Sequence, residues 1–211
     1  AKVLHPPTML PAMKKAIPIR IKNTFAPEKE GSLITGKALQ CDFPIRGLTA
    51  INEVSLILLE GSGLQATPGI SARLFSALAK KEVNIILISQ ASSEHSICFA
   101  IAPEDSARAK KAIEKEFVLE RKVSEVDEVL VEGELSIVAI VGEGMKHTPG
   151  VSGKLFSALG KSSVNVVAIA QGSSELNISV VIERAQQTRA LNAIHDAFFF
   201  AGQKTLHLFI I

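Results

Sequence analysis

Apolar and polar positions along this chain follow two alternating periods, and the same succession of periods occurs twice. Val54–Glu60 is a nearly unbroken apolar run ending at Gly61, which predicts a strand buried on at least one face. Ile70, Leu74, Ala77 and Leu78 then recur at helical spacing and predict a helix with one stripe turned to the core. Thr67-Pro68-Gly69 opens that helix, with Thr67 suited to capping and Pro68 to the first turn, where its missing N–H would be orphaned anyway. Val83–Ser89 and Ile97–Ala102 read as the next strands, joined by the turn residues Ser92-Ser93-Glu94. A second helix is expected from about Asp105, with Ala109, Ala112, Ile113 and Phe117 on one side, and a closing strand around Lys122–Val126. This βαββαβ order is ferredoxin-like and belongs to the α+β class, with helices covering one face of an antiparallel sheet.

The segment from Leu135 repeats the segment from Val54 without a gap, at an offset of about 81 residues and with nearly half of the positions identical. A repeat of this length is a duplicated domain rather than a solenoid unit. The second copy predicts strands at Leu135–Val141, Val164–Ala170 and Asn177–Ile182, with helices near Pro149–Lys161 and Ala185–Phe198. Two segments are able to supply its closing strand, Gln203–Ile211 downstream and Arg46–Ile51 upstream of the first copy.

Composition narrows the function classes. In 211 residues, 23 basic against 21 acidic side chains leave a net charge of +2, with Lys and Arg dispersed, so no nucleic-acid face is expected. Cys41 and Cys98 lack metal-ligand spacing and indicate a reducing, cytoplasmic setting. The five histidines have no mutual spacing for a metal, and no apolar run reaches the ~18 residues of a membrane helix. The opening Ala1-Lys2-Val3 and the closing Leu208-Phe209-Ile210-Ile211 read as cuts through a longer polypeptide.

Three features carry candidate chemistry. Gly61-Ser62-Gly63-Leu64-Gln65-Ala66 formally fits a dinucleotide fingerprint. However, the following Thr-Pro delays the helix, the next strand ends on Ser89-Gln90 rather than an acid, and the second copy has His147 at the third small position. A strand-to-helix turn is the better account. Backbone N–H groups and the positive dipole end at Pro68–Ser71 suit an anion such as an α-carboxylate, whereas Thr67 and Thr148 are equally explained as helix caps. Gln90 and Gln171 end equivalent strands, where an amide offers both donor and acceptor to a small polar ligand or simply faces solvent. Asn84 and Asn165 start those strands, as turn residues or as pocket residues; Glu94 and Glu175 read as solvated turn charges.

Taken together, TPG, VNI and SQASSEH in the first copy, with TPG, VNV and AQGSSEL in the second, resemble the tandem ACT domains of aspartate kinases. The resemblance is strongest to the threonine-regulated members fused to homoserine dehydrogenase. Upstream, AKVLHPPTMLPAMKKAIPIRIKNTFAPEKEGSLI resembles the end of the family's kinase domain, and HLFII resembles the first strand of its dehydrogenase.

The resemblance implies residues 1–40 as a kinase-domain remnant and 52–127 as the first ACT domain. The second ACT domain would comprise 45–51 with 128–200, the first being inserted in it, and 201–211 would lead to the dehydrogenase. It implies an amino-acid effector site at Thr67, Pro68, Gly69, Ile70, Ser71, Asn84, Ile85 and Gln90, and again at Thr148, Gly150, Val151, Asn165 and Gln171. The implied effector is threonine, with lysine as the alternative. Lysine-sensing relatives place a carboxylate on the strand that here reads Asn84-Ile85-Ile86-Leu87-Ile88, and a buried ammonium without a counter-charge is costly. Open sheet edges favour a homodimer. No cofactor is expected in this segment; ATP with magnesium and NAD(P) belong to the absent domains of the parent. Residues 1–24 are expected to be ordered only in part, because Ile17, Ile19 and Ile21 would have lost their sheet neighbours.

Overall fold

This computed structural model describes residues 4–36, 43–66, 68–90 and 96–200. The chain divides into two compact units, Ala1–Asp42 and Phe43–Ile211. In the first, helix α1 (Pro6–Lys14) precedes strands β1 (Ile19–Ile21) and β2 (Ser32–Ile34), which pair antiparallel. Ile19 and Ile21 therefore have sheet neighbours, Ile34 and Ser32, while Ile17 is exposed. The Arg20 guanidinium donates to the Glu30 carbonyl at 2.8 Å across the hairpin.

The second unit runs β3 (Gly47–Glu60), α2 (Gly63–Ala66), α3 (Ile70–Ala79), β4 (Ile85–Ser89), β5 (Ser96–Ile101), α4 (Ser106–Glu116) and α5 (Val118–Lys122). It continues through β6 (Leu130–Val141), α6 (Val151–Lys161), β7 (Ala168–Gln171), β8 (Asn177–Glu183) and α7 (Gln187–His195), which ends in a wider turn over Asp196–Phe200. The expected α+β architecture is present, as one continuous antiparallel sheet of six strands in the order β4-β5-β3-β6-β8-β7.

The two long central strands are shared. Leu56–Leu58 of β3 pair with Leu130–Glu132 of β6, completing the order β4-β5-β3-β6 in the first half. Gly47–Ile51 pair with Ile137–Val141, completing β3-β6-β8-β7 in the second. Arg46–Ile51 thus supplies a closing strand, the Arg46 N–H donating to the Val141 carbonyl at 2.7 Å; Gln203–Ile211 lies outside the described residues. Between these stretches the register slips twice. Asn52 and Glu53 bulge opposite Ser136, and Gly133 and Glu134 bulge opposite Ser55. Each bulge adds one residue and bends its strand. The bulges are equivalent under the 81-residue repeat, so the crossing has a local two-fold character.

Helices cover one face of each half. Ile70, Leu74 and Leu78 of α3 and Ala109 and Ile113 of α4 pack on Ile57, Leu59, Phe99 and Ile101. Val151, Leu155 and Leu159 of α6 and Ala190 and Ile194 of α7 pack on Val138, Ile140, Val180 and Ile182. The buried residues of α3 are the four that the helical period picks out. A third cluster, with Val54, Leu56, Leu87 and Ala100 from the first half and Leu135, Ile137, Ala168 and Val181 from the second, lies on the opposite faces and joins the halves.

The closing strand expected at Lys122–Val126 is instead the end of α5 and a turn, and strand pairing resumes only at Leu130. Arg73 from α3 hydrogen-bonds the Glu120 carboxylate and holds this segment in a helical turn, and Val126 and Val129 fill the core beneath it. Leu130–Glu132, read from sequence as part of the second domain, pair with the first. Among the described residues no helix is long and apolar enough to cross a membrane.

Candidate functional site

The turn entering α6 is built by residues that avoid a side-chain cap. Gly150 is the N-cap residue at φ 89, a left-handed conformation that L side chains enter only with strain. Gly69 holds φ 89 at the start of α3. A Cβ at either position would touch nothing, so the dihedral alone selects glycine there. The sequence put Pro68 in the first turn and left Thr148 either as a cap or as a pocket residue. Instead α3 begins at Ile70, two residues after Pro68, and the Thr148 hydroxyl turns away from α6 to donate to the Gly144 carbonyl at 2.7 Å. A threonine that ties its own turn leaves the helix amides unspent. Those of Gly150, Val151, Ser152 and Gly153 have no acceptor among the described residues, the first helical bond running from Lys154 to the Gly150 carbonyl at 2.9 Å. Together with the dipole of an 11-residue helix they form a donor set for an anion. In the first copy Pro68, Gly69 and Ser71 take the equivalent places with Ile70 buried, and Thr67 lies outside the described residues.

Strand register decides which other candidates reach the turns. Ser89 pairs with Cys98, which pairs with Leu58, so Gln90 lies at the end of the sheet where β3 runs into its turn. Gln171 pairs with Ile178 and that with Ile140, placing it at the end where β6 runs into the turn at 142–150. Both glutamines are exposed. Asn84 and Asn165 are at the opposite end. Ile85, beside Asn84, pairs with Ile101, and Ile101 with Ser55, while the Asn165 N–H donates to the Gln186 Oε1 at 3.1 Å below α7. Each half thus joins a turn with its glutamine and leaves its asparagine at the far edge.

The turn entering α6 carries one contact that sequence reasoning missed. The His147 N–H donates to the Glu175 Oε2 at 2.7 Å, and His147 Nδ1 is 4.0 Å from Oε1. Only tertiary structure brings the β7–β8 loop over the turn; no spacing signal marks it. A second missed group lies behind α3. Arg73 donates through Nε to Glu116 at 2.9 Å and through Nη1 to Glu120, with its guanidinium 4.8 Å from the centre of the Phe117 ring. The hydrogen bond from Arg73 holds the Glu120 carboxyl below its ordinary range, and bonds to Glu120 and then Glu116 raise the guanidinium. Lys154, equivalent to Arg73, sits 5.0 Å over the Phe198 ring, with no such carboxylate among the described residues.

A cleft of ≈ 630 Å³ opens between the uncovered faces of the two halves, lined by Leu56, Leu58, Cys98 and Leu130 on one side and Val167 on the other, and bordered by Ser89, the residue before Gln90. The Ser89 hydroxyl donates to the Ile169 carbonyl at 2.8 Å, linking the two edge strands. Among the described residues no group of three or more His, Cys, Asp or Glu is arranged to hold a metal ion.

Two units related by an internal repeat, each with a glycine-led turn before its first helix and a glutamine at a strand end, share one antiparallel sheet. The ACT domain family model matches residues 57–117 and 138–198, and the chain belongs to that family. It is 39% identical over 206 residues to the chloroplastic bifunctional aspartokinase/homoserine dehydrogenase 1 of Arabidopsis thaliana, covering 95% of this chain and 23% of that protein. The crystal structure of Clostridium acetobutylicum aspartate kinase superposes with a TM-score of 0.82 at 29% identity, over 92% of this chain and 44% of that one. Escherichia coli aspartokinase III in complex with lysine and aspartate, a T-state, superposes at 0.69 with 25% identity, over 94% of this chain and 42% of that one. The chain thus spans about a quarter of the length of the bifunctional relatives it matches, and its likeness is to the regulatory, ACT-bearing region of aspartate kinases.

Proposed function

We propose that this chain is the effector-sensing part of an aspartate kinase fused to a homoserine dehydrogenase, and that threonine binding to its ACT units feedback-inhibits the phosphorylation of aspartate. The observation that carries the reading is the duplicated pairing of a glycine-led turn with a glutamine at one end of each half, with unspent helix amides at the turn of the second. Those amides suit an α-carboxylate, and Gln90 or Gln171 suits a hydroxyl. Lysine is the second candidate, favoured by the lysine complex of the similar aspartokinase III. Against it, β4 carries no carboxylate for a side-chain ammonium.

Asn84 and Asn165 enter the same sites only if two copies pair edge to edge. An antiparallel pairing of edge strands sets the start of one strand against the end of the other. A homodimer through the ACT units is therefore part of the proposal, as are ATP with magnesium and NAD(P) in the parent's other domains. Effector shifts the kinase through its differential affinity for two arrangements of the dimer, typically about 1–3 kcal/mol of coupling.

Calorimetry of the chain with millimolar threonine, lysine and methionine tests the reading. Threonine is expected to bind, and Gln90→Ala and Gln171→Ala each to weaken it. Silence with all three in a folded dimer would sink it. Binding untouched by either substitution would move the site elsewhere.

A further inference from the structure

We propose that the cleft between the uncovered faces of the two halves is a binding site for a small apolar amine, with the Glu60 carboxylate holding the ammonium; the proposal is independent of the effector reading above. The cleft exists because the two faces meet along only part of their length. Leu56, Leu87 and Ala100 of the first half pack with Leu135, Ile137, Ala168 and Val181 of the second. One step further along β3 and β6 the faces part, leaving Leu58 half-buried and its strand partner Leu130 50% exposed. The ≈ 630 Å³ between them is of the size that takes a small molecule, and apolar side chains bordering such a space gain from being covered.

Charge decides which molecule fits. Side chains alternate along a strand, so Glu60 shares the face of Leu56 and Leu58, and Glu132 shares that of Leu130. Glu132 stands opposite Leu56, and Glu60 lies two residues past the Leu58–Leu130 pair, so a carboxylate marks each end of the apolar strip. Both line the cleft. Among the described residues no Lys, Arg or His lines it, and neither carboxylate has an ion-pair partner. Glu60 is half-buried and Glu132 exposed, so an ammonium is held better at Glu60, where less water screens the charge. The fold does not call for charge at either place, because the 81-residue repeat puts Val141 in the position of Glu60 and Ile51 in that of Glu132. An apolar body over Leu58, Leu130 and Val167 with its cationic end at Glu60 matches both the surface and the charge.

The test follows amide resonances of the full chain during titration with three probes of similar shape: 2-phenylethylamine, 2-phenylethanol and 3-phenylpropionate. Leu58, Cys98, Leu130 and Val167 are expected to shift together and saturably with the amine. Its affinity should exceed that of the alcohol by about threefold to fivefold, the scale of one ion pair at a partly exposed site, and the carboxylate should bind most weakly. Glu60→Gln should bring the amine down to the affinity of the alcohol, and Glu132→Gln should lower it less. Glu114→Gln, on α4 across the sheet, should change nothing. Equal binding of the three probes overturns the proposal, as does a failure of all three to move these resonances, or an amine advantage that survives Glu60→Gln. Shifts of the same resonances on dilution of the protein alone would show a second copy covering the cleft, and would overturn it too. Threonine binding, or its lack, bears only on the effector reading.

Discussion

Arg73 is the side chain that does most to distinguish the two ACT units. It reaches two carboxylates and an aromatic face, while its equivalent Lys154 has, among the described residues, the ring of Phe198 and no carboxylate. A planar guanidinium can divide its donors between Glu116 and Glu120, which an ammonium does less well. The Glu120 carboxyl is held below its ordinary range by that hydrogen bond, so folding favours its ionised form. The stability it contributes is complete above the unfolded value of about 4.3 and is lost as pH falls through the folded value. The guanidinium stays charged across this range, because it is raised from an already high value. Glu120→Gln is expected to flatten the acid limb of a urea-midpoint profile between about pH 5 and 3. The loss at neutral pH should be on the order of 1 kcal/mol or less, since Arg73 is 38% exposed and screened. An acid limb as steep as that of the wild type would remove Glu120 as its cause.

Elements repeat more faithfully than side chains. Leu74 in α3 and Leu155 in α6 are equivalent, fully buried, and central to their respective cores. Leu74→Ala and Leu155→Ala are each expected to cost about 2–5 kcal/mol in chemical denaturation, through lost apolar burial and the cavity left behind. A cost below about 1 kcal/mol at either position would mean that the helix is not seated as described. Such helices were legible because a 3.6-residue period marks a buried stripe without knowledge of its partner. Lys122–Val126 was misread because so short a stretch carries no trace of Arg73, which is distant in sequence and hydrogen-bonds Glu120 in the helical turn just ahead of it. Thr148 does not cap because the helix begins later, with Gly150 as its N-cap residue, and its hydroxyl ties the preceding turn to Gly144.

At the scale of the whole ACT pair, β3 and β6 belong to both halves, and the cluster around Leu56, Leu135 and Val181 belongs to neither alone. Arg184 adds a clasp at the crossing, its Nη1 lying 3.2 Å from Glu53 and 3.5 Å from Glu134, the equivalent residues of the two bulges. Residues Phe43–Phe200 should therefore unfold in a single cooperative transition. Native-state hydrogen exchange of Leu155→Ala is the check, with protection expected to fall by a similar free energy at Phe99 in the first half and at Val180 in the second. Loss confined to the second half would show two independent domains.

The chain's own pattern determined the duplicated βαββαβ order, the helix stripes and the glycine turns, because these depend on local period and on one residue's dihedral freedom. It also placed Gln90 and Gln171 at strand ends. Tertiary structure alone decided that the two sheets are one, that Asn84 and Asn165 stand at the opposite end from the turns, and that Glu175 bonds the turn it faces. Strand pairing and loop docking join residues far apart in sequence, and a single chain's periodicity carries no record of which neighbour it will meet.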